Sequence, residues 1–289
     1  MSCMRNPTSA FVGISSFGKS MPTPESSEYT RRRRLLATQV NTDGLYISAI
    51  GLPNFLPNLR GYTPASVPGV SPVLGFQGSM QFVGGGVSVQ TNVSYVTDAD
   101  LLPGTESFTV EWFQFYQDSD SNAIVFSIGT FPANDLCVVY VGTTLFLFTD
   151  GGSSNVGSAV TKNVWQHVAV VGNGGADGSR NVKVYVDGVL KLTRTANYNI
   201  SQTDALRIGN QTDATLPNGN YAGLLTNFRW VVGTQVYTGP FTPPTSPLSA
   251  IPGTELLLLA SSSGVVADAS VRNRTPTNTG VVYSSSVPV

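Results

Sequence analysis

The sequence predicts an all-β protein, an antiparallel two-sheet sandwich of the jelly-roll kind with an extended N-terminal arm. Three observations carry this. The composition is turn-rich, with 30 Gly and 18 Pro among 289 residues, 41% hydrophobic and only 11% charged, and few stretches have helical period. Residues Phe108-Thr109-Val110-Glu111-Trp112-Phe113-Gln114-Phe115-Tyr116 alternate large side chains over two mostly apolar faces, as a strand covered on both sides does. From residue 73 onward, short apolar runs alternate with turn residues at the spacing of a sandwich or jelly roll.

Taken in order, residues 1–34 are polar and Ser/Pro/Thr-rich and end in Arg31-Arg32-Arg33-Arg34. Six of the 16 basic and two of the 17 acidic residues lie here, a local +4 against −5 for the rest. Alone, such a segment buries too little apolar surface to offset its ordering entropy, so it reads as an arm lying on a partner. The arginine run is either a solvated charge run or a clamp onto acidic protein surface or phosphate. Residues 35–72 hold one short strand, Leu45–Ile50, and then Pro53, Pro57, Pro64, Pro68 and Pro72, an extended connector. Its Phe55, Leu56 and Leu59 are expected to pack on the sandwich or on a neighbour.

Strands are predicted at Gly78–Val83, Gly86–Val89, Val93–Val96, 108–116, Ala123–Ile128, Leu136–Val141, Thr144–Thr149 and Val164–Val171. Gly172–Arg180 is a Gly-rich hairpin loop. The hairpin Val182–Val186, Asp187-Gly188, Val189–Leu192 is the clearest in the chain, because Asp-Gly favours a type I′ turn whose twist matches its strands. Asp150-Gly151-Gly152 is a turn with φ > 0 positions. Leu206–Gly209, Tyr221–Val232 and the buried run Leu256–Leu259 complete the set. This divides the chain into an arm (1–72), a sandwich (73–262) and a tail with weak strand character (263–289).

Composition also excludes classes. No apolar run reaches the ~18 residues of a membrane span, and Met1–Pro7 has no apolar core, so no signal peptide is expected. A net charge of −1 argues against nucleic acid as the main partner. Two cysteines, Cys3 and Cys137, do not make a disulfide framework, and Cys137 reads as a small buried hydrophobe. One histidine, His167, makes zinc improbable, and no cofactor is expected.

Several motifs occur together in order: Ser107–Trp112, Asn163–Val170, Val184–Val189, Phe228-Arg229-Trp230 and the closing run Val236–Thr245. Together they resemble the laminin-G-like, concanavalin A-like jelly-roll domains. The closing run, with Leu256–Leu259 after it, is similar to the subgroup found in structural proteins of phages and large DNA viruses. The resemblance covers roughly residues 73–262. It implies a sandwich of about a dozen strands that binds glycans or proteins, stiffens assemblies or, in some relatives, hydrolyses glycans.

Glycoside hydrolysis needs two carboxyl groups about 5–9.5 Å apart. Glu111 is the only acid on the central strand, with Phe113 and Phe115 at the next positions of its face, so no enzyme is expected and Glu111 reads as a polar strand-face residue. His167 reads as a hydrogen-bonded strand residue. Asp118 and Asp120 could serve calcium but lack the full ligand spacing. Gly172–Gly178 lacks the phosphate-loop pattern. A glycan site would draw on Tyr198, Tyr221, Tyr237, Asn210 and Asn218. The leading expectation is a non-enzymatic virion protein, minor capsid or tail-associated, whose arm anchors through Arg31–Arg34 to other capsid or tail proteins. The alternative is a carbohydrate-binding adhesin that recognises host surface glycans.

Overall fold

The computed structural model describes residues 75–84, 91–117, 122–129, 136–201, 205–211 and 219–288. Arg31–Arg34, the Leu45–Ile50 strand, the strand at Gly86–Val89, Asp118, Asp120 and Asn218 lie outside them. Sixteen strands and no helix occur among the described residues. In chain order they begin with β1 (Ser79–Phe82), β2 (Asn92–Tyr95), β3 (Ser107–Tyr116), β4 (Ala123–Ile128), β5 (Leu136–Val141) and β6 (Thr144–Thr149). Next come β7 (Gly152–Gly157), β8 (Trp165–Asn173), β9 (Asn181–Val186), β10 (Val189–Thr195) and β11 (Leu206–Ile208). The last are β12 (Gly223–Val232), β13 (Thr254–Ser261), β14 (Gly264–Asp268), β15 (Thr277–Thr279) and β16 (Val282–Ser284).

The strands form two antiparallel sheets, the sandwich that the period-2 patterning predicts. The nine-stranded sheet runs β10-β9-β8-β3-β12-β1-β16, with β13 also on β12 and β14 beyond it. The seven-stranded sheet runs β15-β2-β11-β4-β5-β6-β7. The predicted central strand is central: β3 pairs with β8 without interruption from Ser107↔Asn173 to Phe115↔Trp165, and with β12 on its other side. Its even-numbered residues Phe108, Val110, Trp112 and Tyr116 enter the core between the sheets. Trp112 stacks on Phe228 (6.1 Å) and meets Phe126 edge-on (5.6 Å). Removing such an aromatic costs about 3–5 kcal/mol. Gln114 shares this face, and its Oε1 accepts bonds from Trp112 Nε1 (2.8 Å) and the Tyr140 hydroxyl (2.7 Å), so both buried donors are satisfied.

Two turns fit their residues closely. Asp187 (φ 49) and Gly188 (φ 74) both adopt the left-handed region that a type I′ turn requires, as do Asp150 (φ 52) and Gly151 (φ 64). In β12 the register with β3 shifts between Thr226 and Arg229. Asn227 sits there with φ 53, a conformation Asn tolerates. Before the bulge β12 pairs with β1, and after it with β13.

The structure adds strands that sequence patterning does not mark. β7 is a polar edge strand, Gly-Ser-Ser-Asn-Val-Gly, and residues 263–289 contribute β14, β15 and β16 to both sheets. These segments lack a clear apolar alternation, and β15 and β16 find their partners, β2 and β1, far away in sequence. After β12, residues 233–251 cross the outer face of the nine-stranded sheet without forming a strand. Val236 N–H donates to Thr109 Oγ1, Phe241 N–H to Gly188 O, and Leu248 N–H to Asn227 Oδ1. Tyr237 and Phe241 stack 3.6 Å apart and cover Ala169, Val171 and Tyr185. The Tyr237–Pro244 run therefore has a packing role within the domain.

Candidate functional site

Among the described residues, a cleft opens on the outer face of each sheet. On the nine-stranded sheet a cleft of about 260 Å³ is lined by Phe76, Phe113, Trp165, Pro243, Gln166 and Asp187, among others. Two of its polar side chains, Gln166 and Asp187, are occupied, while the buried His167 Nδ1 has no partner among the described residues. Gln166 Nε2 donates to Asp187 Oδ2 (2.9 Å), Thr161 N–H donates to Gln166 Oε1 (2.7 Å), and His167 N–H donates to Asp187 Oδ1 (2.9 Å). They secure the β9–β10 turn.

Beside this cleft lies a buried charge cluster around Glu111. Glu111, expected as a polar strand-face residue, is 0% exposed. Arg229 donates to Oε1 through Nε (2.9 Å) and Nη2, and the Tyr237 hydroxyl donates to Oε2 (2.7 Å). His167 Nε2 lies 3.0 Å from Oε2 and must carry a proton, since a carboxylate only accepts. Burial works to raise the Glu111 carboxyl pKa. The bond from His167 and the charges of Arg229 and His167 outweigh it and hold the group below the usual glutamate range. Burial, and then the Glu111 charge, raise the Tyr237 hydroxyl and keep it a donor. Both oxygens of Glu111 are thus engaged inside the protein, and the carboxylate is not presented to a sugar.

The seven-stranded sheet presents the second cleft, of about 180 Å³. Alternation places it. Leu145 and Leu147 of β6 enter the core, so Phe146 and Phe148 point outward, half-buried. Register then builds two rows across the face, Ile124–Val139–Phe146 and Ser127–Cys137–Phe148–Ser153. Ile124, Cys137 and Val139 form an apolar floor, and Val141 is 42% exposed at its margin. Asn122, Ser153 and Gln211 add polar groups to the lining. Gln211 is 3% exposed, yet neither its amide oxygen nor its nitrogen has a partner among the described residues. A buried amide without partners loses roughly 1–3 kcal/mol relative to a satisfied one, which sets Gln211 apart from the other polar residues of this lining.

None of the described residues expected at a glycan rim is exposed. Tyr198 and Tyr221 are fully buried in the inter-sheet core. The Tyr198 hydroxyl donates to Glu106 O (3.0 Å) and accepts from Gly174 N–H (2.7 Å). Asn210 is 5% exposed, and Tyr237 belongs to the Glu111 cluster. Their polar neighbours in sequence suggest a surface, but the hydroxyls gain backbone partners that permit burial. Cys137 is fully buried as expected. Among the described residues no three or more His, Cys, Asp or Glu side chains converge as a metal site. Sequence reading missed Arg229 as the partner of Glu111, and Phe146, Phe148 and Gln211 as a group. The alternation of Thr144–Thr149 was the available signal for the two phenylalanines.

Comparisons with known proteins agree with the architecture. Residues 88–234, just over half of the chain, match the concanavalin A-like lectin/glucanases superfamily. No curated protein sequence matches. Among solved structures, a putative carbohydrate-binding protein from Bacteroides ovatus superposes with a TM-score of 0.57 at 16% identity, over 73% of this chain and 60% of that one. This chain therefore spans less than two thirds of that protein. A heptameric SAP-like pentraxin from Limulus polyphemus gives 0.48 at 16% identity, over 72% of this chain and 94% of that one. At such identities the likeness is one of fold. With the two sheets and the family match in agreement, the chain belongs to the concanavalin A-like lectin/glucanase superfamily.

Proposed function

We propose that the domain is a non-catalytic carbohydrate-binding module that takes its glycan on the outer face of the seven-stranded sheet. The observation that carries this is the cleft itself: two half-buried phenylalanines and an apolar floor beside the unpartnered Gln211 amide. A sugar ring offers a patch of C–H groups and a fringe of hydroxyls that donate and accept, and the cleft complements both. The shared fold with a structure described as a carbohydrate-binding protein, and a superfamily named for lectins, support the reading. The internal use of Glu111 favours binding over hydrolysis.

The reading as a virion structural protein rests on residues 1–72 and on the closing run at 236–245. The first lie outside the described residues, and Tyr237 and Phe241 of the second are accounted for by packing on the nine-stranded sheet. We therefore rank the glycan reading first and carry a virion location forward only as one setting for such an adhesin. The test is a glycan array followed by calorimetry on the hits. Retention of a glycan class, weakened at least tenfold by Phe148→Ala and by Gln211→Ala in variants that still melt cooperatively, is the expected result. Silence across the array, or hits indifferent to both variants, would overturn it.

A further inference from the structure

We infer that the ligand of the seven-stranded face carries an anionic group, a carboxylate or sulfate on the sugar, received by Arg207. This deepens the glycan reading above and rests on it. The seven strands of this sheet contain no Asp, Glu or Lys, and one Arg, Arg207 on β11. Its neighbours Leu206 and Ile208 enter the core, so Arg207 points to the outer face. Register sets it in one row with Ser94, Ser127, Cys137 and Phe148. By strand spacing it stands about 14 Å from Phe148, three strands away, within the reach of an oligosaccharide.

The other five described arginines are all engaged. Arg180 bonds Gly175 O and Asp177, and Arg194 bonds Gly152 O. Arg229 bonds Glu111 and Ser249 O, Arg272 bonds Glu255, and Arg274 bonds Asp98 and Glu255 O. Arg207 makes no side-chain hydrogen bond or ion pair among the described residues, although it is half-buried and its Nε is fully enclosed. Keeping a guanidinium partly out of water without a counter-charge is unfavourable. A structural role would have supplied it with an acceptor, as the five others were. A planar fork without an acceptor among the described residues, on strands that hold no acidic side chain, suits a bidentate carboxylate or sulfate.

The experiment titrates the full chain with matched glycan pairs. A galacturonate oligosaccharide against its methyl ester tests the carboxylate, and a sulfated chondroitin oligosaccharide against its desulfated form tests the sulfate. Expected is roughly ten- to hundred-fold tighter binding of the charged member in one arm, weakening with added salt. Arg207→Met should remove that preference and Arg207→Lys should keep part of it. Arg207→Met should also melt no lower than the parent, since no internal partner is lost. Equal binding of charged and neutral members overturns the anionic ligand and leaves the glycan reading standing. A preference that survives Arg207→Met overturns the assignment to Arg207. Failure of every glycan, neutral ones included, overturns both readings.

Discussion

Replacing Glu111 by Gln tests the buried cluster most directly. The substitution keeps the shape and removes the charge. Arg229, 5% exposed, then loses its counter-ion inside the protein, while His167 and Tyr237 keep a weaker partner. Removing one member of a buried ion pair costs about 3–5 kcal/mol. For a domain of this size that corresponds to a melting point lower by roughly 6–20 °C. Thermal unfolding followed by circular dichroism at pH 7 measures it. The pH dependence gives a second reading with a defined sign. Because the folded Glu111 carboxyl lies below its unfolded value, its contribution is present above the usual glutamate pKa of about 4.3 and is lost as pH falls through the folded value. The parent should therefore lose stability on acidification more steeply than Glu111→Gln. A variant within about 1 kcal/mol of the parent at pH 7, the low end of what any buried bond is worth, would refute the account. So would identical acid limbs.

Three further outcomes follow from other parts of the sandwich. Gln114→Leu strands the Trp112 N–H and the Tyr140 hydroxyl in the core, and urea titration should show a loss of roughly 1–3 kcal/mol for each donor. Gly151 and Gly188 share a left-handed φ but not their surroundings: space at Gly151 is open, whereas a Cβ at Gly188 would overlap the Phe241 carbonyl oxygen. Gly151→Ala should cost about 1–2 kcal/mol and Gly188→Ala clearly more, and equal losses would contradict the close approach of residues 233–251. Burial pushes the Cys137 thiol far up, so mass spectrometry after alkylation at pH 8 should find it unmodified until denaturant is added.

The sequence made β3, β8, β12 and the Asp187-Gly188 hairpin legible because their information is local: apolar alternation within one strand, and a turn that only certain residues accept. Residues 263–289 were harder, since Thr277-Asn278-Thr279 is polar and becomes a strand only by lying against β2. The site shows the same division. Glu111 reads as a lone acid because its partners stand 56, 118 and 126 positions away. Arg207 reads as an ordinary strand residue, and its isolation emerges only when the pairing shows that no strand of its sheet holds an acid. Tyr198 and Tyr221 were misjudged because polar sequence neighbours say little about which backbone groups a hydroxyl will meet.

The pairing of β1 has a consequence for how the chain reaches its fold. Ser79–Phe82 lies between β12 and β16, and Ser79 Oγ donates to the Ser286 carbonyl, 207 positions away. Until residue 286 has left the ribosome, β1 lacks one neighbour and exposes an unpaired edge, the kind of surface that recruits other chains. A sheet closed by contacts between such distant segments completes late and slowly. Biosynthesis of this domain should therefore depend on chaperones that shield strand edges, more than its final stability suggests.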